Sequence, residues 1–159
     1  MTETRETVSR ASVPLVRRAL LALTVITILA TAFELATVAH WQQFEQLIPW
    51  IALGVLVVAT ALSLLPGRWA RIGARALALV VLGAAAYGVI DHILANYDSG
   101  PLDYRFADTW ATMPSAQRWW YAFTKTVGPS PTLAPGVLGL AATLLLLASL
   151  IDTRPRRVI

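Results

Sequence analysis

Residues 47–65 run for 19 positions without one charged side chain. As a helix rising about 1.5 Å per residue, such a run matches the roughly 30 Å hydrocarbon core of a bilayer. Comparable runs occupy residues 19–39, where Glu34 is the one charge, residues 76–95, uncharged as far as Asp91, and residues 133–151. Together they predict an all-α fold, a four-transmembrane-helix bundle in one membrane domain of residues 17–152. A polar N-tail, 1–16, read as disordered or lying on the surface, precedes it, and a C-tail, 153–159, follows. Charged residues make up only 14% of the chain, against about a quarter in soluble proteins. Cysteine is absent, which excludes disulfides, thiolate metal sites and thiol chemistry.

The connections carry the signals that membrane helices need at their ends. Arg17 and Arg18 stand before the first run. Trp41 and Trp50 bracket the short link 40–46 as an interfacial aromatic belt would, and Pro49 fits the first turn of the second helix. Pro66-Gly67 stops that helix, and Arg68, Trp69, Arg71 and Arg75 follow in a tight turn. The one long loop, 96–132, opens on the turn Asp98-Ser99-Gly100-Pro101. Residues 114–127 read as a short amphipathic helix, with Thr112 as a cap and Trp119, Trp120, Tyr121 and Phe123 making it aromatic. Such a helix either lies on the membrane surface or packs on the outer end of the bundle. A basic start, an apolar core and Ala30-Thr31-Ala32 also fit a cleaved signal peptide, but the apolar run continues past Ala32, which favours an uncleaved helix.

Basic residues sort by side. Arg5, Arg10, Arg17, Arg18, Arg68, Arg71, Arg75, Arg154, Arg156 and Arg157, ten of the thirteen, fall in the N-tail, the 66–75 turn and the C-tail. Arg105, Arg118 and Lys125 fall in the long loop. The positive-inside rule then places both termini in the cytoplasm of a multi-pass inner-membrane protein, with the long loop outside. Orientation accounts for the net charge of +4 better than nucleic acid does, and no nucleic-acid motif is present. Phosphate loops and hydrolase elbows are absent too, so the sequence favours no enzyme class.

The candidate site is polar chemistry at the outer end of apolar helices: Glu34, His40, Asp91, His92 and Asn96. Glu34 is 16 residues past Arg18 and Asp91 is 16 past Arg75, so each lies roughly 24 Å from the inner interface by helical rise. Ionisable groups at such depth are costly and face partners or water. Glu34, Asp91 and His92 could hold Zn, Mn or Fe(II), although no standard ligand spacing is present. They could also form a proton relay or a small-ligand pocket. The favoured reading is structural: Glu34 pairs with His92 across helices one and three, Asn96 caps the third helix, and the chain is a scaffold or accessory protein. Its partners would be the bilayer and a membrane protein or a second copy of the chain. No cofactor is specified, and haem between His40 and His92 is disfavoured because His40 sits roughly 9 Å higher.

Gly88-Val89, His92-x-x-x-Asn96, Trp120-Tyr121-Ala122 and Pro131-Thr132-Leu133-Ala134-Pro135-Gly136 together resemble a group of small bacterial four-span integral membrane proteins. Glu34-Leu35-Ala36, His40-Trp41 and Gln46-Leu47-Ile48-Pro49 fit the same pattern, so the resemblance covers residues 30–150. It implies the four-helix layout and points to Glu34, His92 and Asn96, but it implies no activity. Members of that group tend to carry a basic residue and an acidic run around the His-x-x-x-Asn segment. This chain has Ile93-Leu94 inside it and Asp98 and Asp103 after it.

Overall fold

The computed structural model of the chain describes residues 2–151, with side chains from Val13 onward. The C-tail 153–159 and its arginines lie outside the described residues. Among these residues the chain is all-helical, with five helices and no strand: α1 Thr2–Thr37, α2 Ile48–Leu64, α3 Arg68–Ser99, α4 Ser115–Phe123 and α5 Gly136–Leu150. α1 begins at Thr2, so the polar stretch 2–16 forms its first turns, with Pro14 inside the helix.

Three stretches are long and apolar enough to cross a membrane: Val13–Thr37, Glu45–Leu64 and Arg68–Leu102. The fourth run behaves differently. α5 has 15 residues, or about 22 Å of rise, and starts three positions after the expected Leu133. Pro131 and Pro135 are the cause. Neither has an N–H to donate to a helical ladder, so the chain closes short turns instead. The Ala134 N–H donates to the Pro131 carbonyl at 3.0 Å and the Gly136 N–H to the Leu133 carbonyl at 2.9 Å.

The other ends follow their residues. Ala39 takes a left-handed φ of 50° just past α1, and Trp50 donates its indole N–H to the His40 carbonyl at 2.7 Å. Trp41 and Trp50 pack with ring centroids 6.1 Å apart. Pro49 sits in the first turn of α2, where a missing N–H costs nothing. Leu65 is extended and Gly67 has φ 126°, a value that a side chain would strain, which turns the chain sharply into α3. α4 starts after Pro114 with no side-chain cap; the Thr112 hydroxyl instead donates to the Thr109 carbonyl within its own turn.

The chain divides into two compact units, residues 1–82 with 138–159 and residues 83–137. In the first, each helix buries one stripe at alternating three- and four-residue spacing. The stripes are Leu21, Thr24, Ile28 and Thr31 on α1, Ala52, Leu56, Ala59 and Ser63 on α2, and Leu138, Ala141, Leu145 and Ala148 on α5. α3 contributes Ala74, Ala78 and Val81. This is the seam spacing of helices that pack at shallow left-handed angles. α1 and α2 are direct neighbours. The small residues of α3 divide in two groups: Ala74, Ala78 and Ala85 are buried, whereas Gly83 and Ala86 are exposed. Gly88, in the second unit, lies against Pro135, where an added Cβ would come within 2.8 Å of the proline ring.

Candidate functional site

In the second unit the last turns of α3 and the segment 100–135 fold around one side chain. Asn96 is fully buried, with 0% of its surface exposed. Its Nδ2 donates to the Ser130 carbonyl at 2.9 Å and the Ala122 carbonyl at 3.1 Å, with the Thr132 hydroxyl at 3.3 Å as a third acceptor. Its Oδ1 accepts the Ser130 N–H at 2.9 Å. The carbonyls can only accept and the N–H can only donate, so the amide's orientation is fixed. Asn96 therefore does not cap α3. It lies inside the helix and ties the end of α4 and the 128–132 segment to it. Gly128 passes directly over it: a Cβ there would collide with the Asn96 side chain and come within 2.5 Å of its Cα, and Gly128 also has φ 78°.

Aromatic rings fill the rest. Tyr97 stacks on Trp119 at 4.2 Å and meets the buried Trp110 edge-on at 5.6 Å, while Arg118 lies over the Tyr97 ring. Gly100 lets the Trp110 ring sit against the backbone, since a Cβ at that position would overlap the indole. Arg105 forms a two-bond pair with Asp103, at 2.9 and 2.7 Å, and also donates to the Thr126 carbonyl at 2.6 Å. Those hydrogen bonds hold the Asp103 carboxyl below its ordinary pKa and raise that of the Arg105 guanidinium.

The other expected residues are placed differently. His92 is half-buried, and its Nδ1 lies 2.9 Å from the Pro131 carbonyl. A carbonyl accepts only, so Nδ1 carries the proton, and in the neutral ring Nε2 is left as an acceptor. Asp91 is half-exposed and Glu34 exposed; neither side chain makes a hydrogen bond or ion pair with the described residues. His40 is half-exposed, with its carbonyl taken by Trp50. Among the described residues no three His, Asp or Glu side chains gather as a metal site requires.

No family model, curated protein or solved structure matches the chain. The geometry alone therefore carries the reading. Two of the polar groups near the end of α3 hold backbone: Asn96 that of 122–132, His92 that of Pro131. The partners of Asn96 were not legible in the sequence. Ala122, Ser130 and Thr132 follow it by 26, 34 and 36 residues and share no pattern with it. Gly128 in Gly-Pro-Ser-Pro was a signal for a turn, but not for a backbone lying on a buried amide.

Proposed function

We propose that this chain is a four-span integral membrane protein of scaffold or accessory type, with both termini on the cytoplasmic side and residues 96–132 forming a folded segment on the outer side. The observation that carries the reading is the Asn96 amide, buried with every partner supplied by the chain's own backbone and Thr132. The most buried polar group near the end of α3 thus holds structure. Three long apolar stretches and the clustering of arginines support the layout. The fourth crossing is α5, whose roughly 22 Å suits a locally thinned bilayer or one continued by the apolar turn at Leu133 and Ala134. α4 shows Trp119, Trp120 and Phe123 to its surroundings, which suits the headgroup level of a membrane or a membrane partner.

A second reading rests on His92. A histidine whose Nδ1 proton is held by a carbonyl presents Nε2 in the orientation that metal-bound imidazoles use. Asp91, its neighbour in the chain, would then be a further polar group beside it. Metal content and the visible spectrum of the detergent-purified protein, beside a His92→Ala variant, separate the two. The scaffold reading expects no stoichiometric metal and no chromophore in either protein. One metal per chain that disappears in His92→Ala would replace it with the ligand-binding reading.

A further inference from the structure

At the opposite end of α3 the first unit forms an open-sided cavity of about 230 Å³, lined among others by Arg17, Ser63, Pro66, Gly67, Arg71 and Ser149. Among the described residues its charged lining is basic, Arg17 and Arg71, with Arg18, Arg68 and Arg75 near them in the sequence. Two of these arginines are committed to helix ends. Arg17 donates to the Ser63 carbonyl at the end of α2, and Arg75 donates to the Ser149 carbonyl at 2.6 Å and the Ser149 hydroxyl at 3.0 Å at the end of α5. These contacts offset the negative ends of both helices. Arg71, half-buried on the cavity wall, makes no hydrogen bond or ion pair with the described residues. The start of α3, just past Gly67, adds backbone N–H groups that have no acceptor within the helix.

We propose that this cavity binds the phosphate of an anionic lipid headgroup, with Arg71 as the principal ligand and Arg17 beside it. Guanidinium groups suit phosphate because their paired N–H groups match two of its oxygens. The volume falls below the roughly 300–1,000 Å³ of pockets for drug-sized ligands, and so suits a headgroup. The lipid source is favoured by the rim. Leu64 and Leu65 also line the cavity and are exposed, giving an apolar path for acyl chains, and Trp69, with Arg68 over its ring, is exposed in the first turn of α3, two residues before Arg71. The proposal rests on the membrane reading above, in which these arginines lie at the inner interface.

Membrane residence is measured first and separately, as resistance to carbonate extraction. The purified protein is then titrated with dihexanoyl phosphatidylglycerol, dihexanoyl phosphatidylcholine and inorganic phosphate, following the melting temperature. The parent protein is expected to respond to phosphatidylglycerol well before phosphatidylcholine. Arg71→Gln should weaken the apparent affinity about fivefold, taking each arginine as worth about 1 kcal/mol near an anionic surface, while Lys125→Gln, which removes the same charge from the outer loop, should leave it unchanged. Arg71 holds no partner among the described residues, so its replacement leaves no buried group unpaired. Equal responses to both lipids, or equal losses in the two variants, would overturn the site in a protein that still resists extraction. A response to inorganic phosphate as strong as to phosphatidylglycerol would overturn the lipid as its source.

Discussion

At the scale of single residues, Asn96 and Gly128 act as two halves of one contact. Asn96→Ala would strip the Ser130 N–H and carbonyl of their partner, while the Ala122 carbonyl keeps the Lys125 N–H, at a cost of about 2–4 kcal/mol, since each unsatisfied buried group costs about 1–3 kcal/mol. Asn96→Asp should cost more, because it sets a carboxylate against two carbonyl oxygens. Gly128→Ala should resemble Asn96→Ala, since the added methyl displaces the amide. Thermal melts in detergent check all three, and an Asn96→Asp protein as stable as the parent would remove the hydrogen-bond assignment. Asp103 carries a pH effect of known sign. Its pKa is lowered in the fold by the hydrogen bonds from Arg105, so its contribution is complete above the ordinary carboxylate range near 3.8 and is lost as pH falls through the lower folded value. Carbon-13 NMR of the Asp103 carboxyl should show its midpoint rise toward the ordinary value in Arg105→Gln. An unchanged midpoint would mean that the pair does not form. The sequence singled out Asn96, as the polar residue ending an apolar helix, but it could not show which residues downstream would meet it. Distant backbone carbonyls carry no side-chain signature.

At the scale of elements, the spacing of small and apolar residues decides which helix faces are covered. Ala78 is fully buried on α3, whereas its neighbour Leu79 is exposed to its surroundings. Ala78→Leu should therefore destabilise by about 1–3 kcal/mol through overpacking, while Leu79→Ala should change the melting temperature little in detergent. Equal effects at the two positions would mean that the α3 stripe is misassigned. Helix existence was legible for all four apolar runs, because a run of that length without charge has few other uses. The start of α5 was less so. Leu133 and Ala134 count as apolar in a hydropathy reading, yet the prolines at 131 and 135 convert them to turns. The thirty-two residues of α3, about 48 Å at helical rise, also exceed the core of a bilayer, which the charge pattern alone did not reveal because the helix continues past Asp91 through Asn96 to Ser99.

For the molecule as a whole, the sorting of charge is the broadest feature, and the order of residues alone displays it. Arginines cluster beside the link between α2 and α3, and aromatic, mixed-charge segments occupy 96–132. The use of those arginines was not readable in the same way. Arg17 and Arg75 reach carbonyls 46 and 74 residues away, and only the fold shows that they cover helix ends and leave Arg71 without a partner among the described residues. The cysteine-free chain makes topology directly testable with single cysteines at two exposed sites, Trp69→Cys beside the arginines and Tyr104→Cys in the long loop, at positions 79% and 90% exposed. Intact spheroplasts are treated with a membrane-impermeant maleimide before and after permeabilisation. Labelling of Tyr104→Cys in intact cells, with Trp69→Cys labelled only after permeabilisation, is the expected result. The reverse pattern would contradict the orientation, and equal labelling of both positions in intact cells would contradict a membrane-spanning α3.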